Sequence, residues 1–272
     1  MISSAVTMGQ LQQKLDTIGH NLANSNTTGY KRRETSFSDL LVQQINNQFV
    51  NHHEVGRDTP YGIRRGSGAA IAQTAVRFEQ GSIQNTDRLL DLAFTEKGYF
   101  FELSPTEDGD RRFTRDGAFY FAPNPDNEEE NFIVNQNGDY LLNVNGERIG
   151  LPAVYDDILI RDNGIIEATV NGDENVVVGQ INIVQVTKPQ LLTMFGENTF
   201  VFPNLEDLDL EMADVLNEAA GAEVIQQRAL EMSNVDMGRE MTEMLLAQRH
   251  YQFNTRAISI ADEMRGLVNN LR

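Results

Sequence analysis

The chain has no cysteine, no tryptophan and only four histidines. Without cysteine there is no disulfide scaffold, no thiol nucleophile and no thiolate metal site. Four histidines supply little imidazole for acid–base or metal chemistry. Positive charge is scarce too: 22 Lys and Arg stand against 40 Asp and Glu, a formal net charge of −18. Nucleic acid and anionic membranes both need a concentrated positive surface, so neither is an expected partner. Long apolar runs are missing; clusters such as the Val triplet 176–178 fall far short of a bilayer span, so no integral membrane segment is expected. The amino terminus MISSAVTMGQLQQ has no basic n-region, continuous apolar core or small-residue cleavage site, so no cleaved secretory signal is expected. That leaves the cytoplasm as the default, unless export uses a route that needs no cleaved signal. The 272 residues, 40% of them hydrophobic, suffice for one large or two modest domains with a buried core.

Charge is unevenly placed. Residues 1–66 carry seven basic and five acidic side chains, residues 67–210 nine and 25, and residues 211–272 six and ten. Acidity therefore belongs to the middle, and the ends are nearly balanced, which suggests different surroundings for each.

Both ends show helical periodicity. Met1, Ser4, Met8, Leu11, Leu15, Ile18 and Leu22 recur at alternating spacings of three and four, a heptad seam. The helix is expected to span about Ile2 to Asn24, with Gly29 taking the left-handed conformation in the turn beyond it. Leu246, His250, Phe253, Ala257, Ile260, Met264, Leu267 and Leu271 repeat the pattern, preceded by Ser233, Asn234, Val235 and Asp236, which supply N-cap candidates. That second helix is expected over about Asp236 to Leu271. Between the ends the period changes. Asn-Gly at 137–138, 145–146, 163–164 and 171–172, and Asp-Gly at 108–109 and 116–117, suit the positive φ of type I′ hairpin turns. The runs at 98–104, 119–121, 131–134, 139–144, 164–170 and 181–186 read as strands. The segment FSDLLVQQI at 37–45 reads as a short helix, the rest of 31–66 as a long connection or extended arm, and PNPDNEEEN at 123–131 as a solvated hairpin loop.

The expected fold is therefore α+β: N- and C-terminal heptad helices pairing as a coiled coil, with a central all-β domain of short antiparallel strands. Its parts are an N-terminal helix (1–30), a connecting arm (31–69), the β domain (70–205), a return segment (206–235) and a C-terminal helix (236–272).

Chemistry finds little support. His52, His53, Glu54 and Asp58 cluster in sequence, but no zinc spacing is present and adjacent residues of an extended segment point apart. The GSG at 66–68 lacks the surroundings of a nucleophile elbow or P-loop and reads as a flexible loop. Carboxylate pairs such as Asp156–Asp157 and Asp207/Asp209 are coincidences expected among 40 acids. No catalytic, cofactor or metal residue is assigned. The five methionines Met232, Met237, Met241, Met244 and Met264 read either as core filling or as an adaptable surface.

Two motifs go further. NLANSNTTGYKR at 21–32, directly after the first helix, resembles the N-terminal motif of bacterial flagellar rod and hook proteins. LEMSNVDMGREMTEMLLAQRHYQFNTRAISIADEM at 230–264 resembles their C-terminal motif, and within that family is most similar to the distal-rod member. GYFF at 98–101, FTRDGAF at 113–119, VVVGQINI at 176–183 and GENTF at 196–200 resemble further family segments. Glu96 and His20 stand where the family usually has Gly and Asn, and PNPDNEEEN resembles an insertion. The matching positions are Asn21, Asn24, Gly29, Tyr30, Lys31, Ser233, Asn234, Val235 and Asp236. The resemblance implies a self-assembling axial protein whose partners are copies of itself and other rod and hook proteins. It also implies export without cleavage through the flagellar type III apparatus, and no cofactor. Assembly would run through Met8, Leu11, Leu15, Ile18, Leu22, Leu246, Phe253, Ile260, Met264, Leu267 and Leu271, with the acidic middle outside. Terminal helices are expected to be partly disordered or self-capped before assembly. Other readings are a proximal-rod or hook-like role, a soluble coiled-coil adaptor or chaperone with a β ligand-binding domain, and a carbohydrate-active β enzyme using paired acids.

Overall fold

A computed structural model describes residues 2–39, 43–45, 63–65, 69–106, 109–125, 127, 129–170, 174–196, 198–205 and 208–270. The chain divides into two compact units: residues 1–23, 33–75 and 236–272 form one, residues 24–32 and 76–235 the other.

The first unit is built on two long helices, α1 (Ile2–Ala23) and, near the carboxyl terminus, α3 (Met237–Asn270). A single helical turn, α2 (Met212–Val215), belongs to the other unit. Both long helices lie where the heptads place them. Asp236 caps α3: its Oδ1 accepts the backbone N–H groups of Gly238 (2.9 Å) and Arg239 (3.1 Å), satisfying donors that the first turn leaves open. Between the helices in sequence, strands Arg33–Asp39 and Ala69–Val76 pair, as do Gln43–Ile45 and Ile63–Arg65, antiparallel in the second case. The short helix expected at 37–45 is thus replaced by strands on either side of 40–42, which lie outside the described residues. A helix this short must bear an unfavourable nucleus, and pairing with a second strand satisfies the backbone instead.

The second unit is all antiparallel. Its largest sheet has six strands in the order Thr193–Met194, Thr199–Val201, Arg112–Thr114, Tyr99–Leu103, Ile183–Val186 and Leu216–Glu218. Two three-stranded sheets join it: Gly150–Pro152, Glu130–Val134 and Tyr120–Pro123, then Asp157–Ile160, Ile165–Val170 and Glu174–Gln180. Period-two alternation gives the large sheet two apolar faces. Phe101, Leu103 and Ile183 enter one core with Phe94, Phe119, Ile133 and Leu151, whereas Phe100, Val184 and Val186 enter another with Phe113, Phe200 and Val215. Adjacent Phe100 and Phe101 therefore serve opposite cores, which is why the run GYFF is apolar throughout.

The hairpins differ from the type I′ expectation. Gly138, Gly146 and Gly164 have φ between 79° and 88°, but Asn137, Asn145 and Asn163 do not have positive φ, and Asp108 lies outside the described residues. In each loop one hydrogen bond closes a four-residue turn and a second spans five, as in Gly138 N–H to Asn135 O (3.1 Å) and Asn135 N–H to Asp139 O (2.9 Å). This is a type I turn followed by a glycine bulge, which reconciles an ordinary turn with strand twist. Asn135 and Asn143 reinforce it, each Oδ1 accepting two backbone N–H groups within its own loop. Asn-Gly 171–172 lies outside the described residues. Asp116-Gly117 is not a hairpin turn: a Cβ on Gly117 would coincide with the Leu92 carbonyl oxygen, so glycine is there for close backbone approach. The expected strand at 139–144 is reduced to isolated bridges, because tight turns at 135–139 and 143–147 leave too few residues for a ladder. The 123–131 segment does join two antiparallel strands.

Candidate functional site

The residues of interest fall into two groups. They build a helix pair in one unit and a buried polar cluster in the other.

In the helix pair, α1 and α3 pack against each other and run antiparallel: Lys14 Nζ meets Glu243 Oε2 at 3.5 Å, and seven residues further along α1, Asn21 Nδ2 donates to Glu240 Oε2 at 3.2 Å. Ile18 is 3% exposed, and Met8, Leu11, Leu15 and Leu22 are half-buried. Asn21 is buried and closes the amino-terminal helix onto the following strand, its amide donating to Arg33 O (2.8 Å) and its Oδ1 accepting Arg33 N–H (2.9 Å).

On α3 the pairing face differs from the expected seam. Its more buried residues are Glu240, Met244, Ala247, Tyr251, Asn254, Ile258 and Ala261, at spacings of four and three, together with Glu243 beside Met244. This stripe is offset by one position from the Leu246–Phe253–Ile260–Leu267 series. Small alanines permit close approach, and Glu240, 1% exposed, supplies the acceptor that Asn21 needs. The large apolar residues instead face outward: Phe253 is 77% exposed and Ile260 56%, and Met237, Met241, Leu245, Leu246, Met264, Leu267 and Val268 are exposed with them. His250 is exposed and Leu271 lies outside the described residues.

In the other unit, the segment 24–32 is stitched to 229–234. Thr27 Oγ1 donates to Asn24 Oδ1 (3.3 Å), Gly29 N–H donates to Glu231 O (2.8 Å), and Asn234 Oδ1 accepts Arg32 N–H (2.7 Å). The Asn234 amide donates to Arg77 O and Glu79 O, and Ser233 Oγ accepts Val235 N–H. Gly29 has φ +67°, and a Cβ there would lie 2.6 Å from the Asp116 backbone. Gly29→Ala is therefore expected to cost about 3 kcal/mol or more, combining left-handed strain with backbone displacement; chemical denaturation measures it.

Tyr30 is buried, and the residue after it belongs to a buried triad. Glu231 accepts from Lys31 Nζ at Oε1 and from Arg115 Nε at Oε2, both at 2.6 Å, and from Gly81 N–H at 2.8 Å. Lys31 also donates to Glu79 O, and Arg115 to Tyr99 O and Glu96 O, while its guanidinium lies 5.6 Å from the Phe94 ring centre. Burial, opposed by Glu231 and reinforced by Arg115, pulls the Lys31 ammonium down from 10.5 to about 8. Between those values the unfolded chain holds more protons than the native one, so stability from this residue rises with pH across the window. Comparing urea midpoints of the native chain and Lys31→Met at pH 7 and pH 10 should show the native chain gaining on the variant. Nearby, burial raises the Asp116 carboxyl, which accepts from Thr28 Oγ1 at 2.8 Å.

Sequence reasoning named Lys31, Gly29, Tyr30 and Asn234 without giving them partners. Arg115, Glu231 and Glu240 were missed as site residues; each is an ordinary charged residue until the fold buries it. Among the described residues no group of three acids or histidines is placed to hold a metal, and His52, His53, Glu54, Asp58 and the GSG at 66–68 lie outside them. No helix among the described residues is long and apolar enough to cross a membrane.

The same segments carry the likeness to known proteins. Residues 3–31 match the family described as flagella basal body rod protein, residues 226–271 the flagellar basal body rod FlgEFG protein C-terminal family, and residues 94–168 the flagellar hook protein FlgE/F/G D1 domain. Each member of the triad falls within one of these matches. The chain is 40% identical over 275 residues to the flagellar hook-basal body complex protein FlhP of Bacillus subtilis, covering 100% of this chain and 98% of that protein. It is 34% identical to the flagellar basal-body rod protein FlgG of Borreliella burgdorferi, over 99% of this chain and 97% of that one. FlgG of Bacillus subtilis is 32% identical over 97% of this chain and 96% of its own. A helix pair with an unpartnered apolar stripe, a buried polar cluster joining both chain ends, and full-length likeness to rod proteins agree: the chain belongs to the flagellar basal-body rod and hook protein family, as a structural component of the rod and not an enzyme.

Proposed function

We propose that the chain assembles helically with its own copies and with other rod and hook proteins, through its terminal helices, into a hollow shaft, at the distal end of the rod. The supporting observation is the outward apolar stripe of α3: Leu246, Phe253, Ile260, Met264 and Leu267 stand in water in a single chain, at the heptad spacing a helical neighbour requires. Met8, Leu11, Leu15, Ile18 and Leu22 keep α1 against α3, so each copy presents a coiled-coil pair rather than one helix. Leu271 continues the stripe in sequence. The motif residues Asn21, Asn24, Gly29, Tyr30, Lys31, Ser233, Asn234, Val235 and Asp236 lie at the end of α1 and just before α3 in the sequence. The nearly neutral ends can crowd together, while the acidic β unit stays solvated outside. A contact that does not close on itself extends into a tube. The C-terminal motif supports the distal position.

Delivery would follow the type III route, across the cytoplasmic membrane and without cleavage. Mass spectrometry of purified basal bodies tests both points. The expected result is this chain present with its α1 sequence retained; recovery from the cytosol alone, or with α1 removed, would overturn the reading.

A further inference from the structure

One cationic feature of the acidic β unit is unused by its own chain. Arg88, Arg111, Arg112, Arg115, Arg161 and Arg228 each pair with a carboxylate of this chain. Arg148 has no carboxylate partner among the described residues. It is exposed, and its guanidinium lies 4.2 Å from the centre of the Tyr140 ring and 5.8 Å from that of Phe132. Phe132 and Tyr140 meet edge to face at 5.5 Å. Register puts these rings on one face of a sheet: Phe132 opposes Gly150, and Tyr120 and Tyr140 both oppose Val134. Tyr120 is exposed as well, with Arg88 stacked over it at 4.5 Å.

An arginine laid flat on aromatic rings loses little further freedom on binding and still points its donor fork outward. That fork fits a carboxylate with two parallel hydrogen bonds, and Arg and Tyr are the residues that most often dominate interfaces. Residues 67–210 carry 25 acids against nine bases. Copies of such a unit repel unless cations of one face anions of the next.

We propose that the Arg148 platform, with Tyr140, Phe132 and Tyr120, is a contact between subunits that receives the acidic 123–131 hairpin loop of a second copy of this chain. The inference rests on the assembly reading above. Glu129 and Glu130 of that loop are exposed. A contact in which the platform of one copy takes the loop of the next can repeat from copy to copy.

The test replaces Asn127, in the loop, with the photo-crosslinker p-benzoyl-phenylalanine in cells that build flagella, irradiates purified basal bodies and maps the adducts that migrate as covalent dimers. A dimer joining residue 127 of one copy to the face that carries Tyr120, Phe132, Tyr140 and Arg148 in another is the expected result. An adduct to another protein, or no adduct from basal bodies that contain the chain, overturns the inference. Absence of the chain from basal bodies would instead overturn the assembly reading itself. Arg148→Glu should lower incorporation about tenfold without moving the thermal midpoint of the purified chain, and adding Glu129→Arg should restore it. Unchanged incorporation in Arg148→Glu would also contradict the proposal.

Discussion

Glu231→Ala is expected to destabilise the β unit by about 3–5 kcal/mol, the range typical for removing one partner from a buried ion pair. The carboxylate serves Lys31, Arg115 and the Gly81 amide at 2.6–2.8 Å, and all three would lose their acceptor in a site without water contact. The loss measures two stranded cations and not the net contribution of the triad. Arg115 keeps two carbonyl acceptors and its place beside Phe94, so Glu231→Gln, which retains the shape, should cost less than Ala. Replacing all three charged residues together by apolar ones should recover much of the stability, because the desolvation penalty disappears along with the attraction. Urea unfolding followed by far-ultraviolet circular dichroism distinguishes these variants. A loss below about 1 kcal/mol for Glu231→Ala would mean that the triad is solvated in practice.

The other large effect separates two isoleucines that look alike in the sequence. Ile18 is 3% exposed and Ile260 56%. Ile18→Asp buries a charge between α1 and α3 and should loosen the pair, with a visible fall in helical signal from the isolated chain. Ile260→Asp puts a charge where water already reaches, so the isolated chain should keep its helicity and midpoint within about 0.5 kcal/mol. Assembly should fail in both. In Ile260→Asp the failure arises only when a neighbour tries to cover the stripe, since a new buried charge costs several kcal/mol at every contact.

Much of the architecture was readable in the sequence because it rests on local periodicity. The heptads placed α1 and α3 to within a residue or two, and Asp236 was among the caps named. Hydrophobic runs located the strands Tyr99–Leu103, Tyr120–Pro123, Glu130–Val134, Ile165–Val170 and Ile183–Val186 of the β unit, and left its shorter strands unmarked. What failed depended on partners. The 37–45 segment became extended because paired strands exist for it, and no local pattern announces a distant strand. The pairing face of α3 was misread for a related reason. Periodicity shows which residues share a stripe, but α3 carries two stripes one residue apart, and the less apolar one, with Ala247 and Ala261, packs inward. The larger side chains are left for another molecule. Likewise, Arg115, Glu231 and Glu240 gain their roles only when segments more than a hundred residues apart meet, as Lys31 and Glu231 do. The end motifs marked that region as special, but they did not state its chemistry.

Quantifying this chain by mass spectrometry in basal bodies purified from cells that produce either the native sequence or Ile260→Asp tests the assembly role most directly. The native chain should be present as a stoichiometric component of the rod, and Ile260→Asp should be absent from it although the protein is made and folded. Equal incorporation of both, or a native chain missing from basal bodies, would contradict assembly through the outward face of α3.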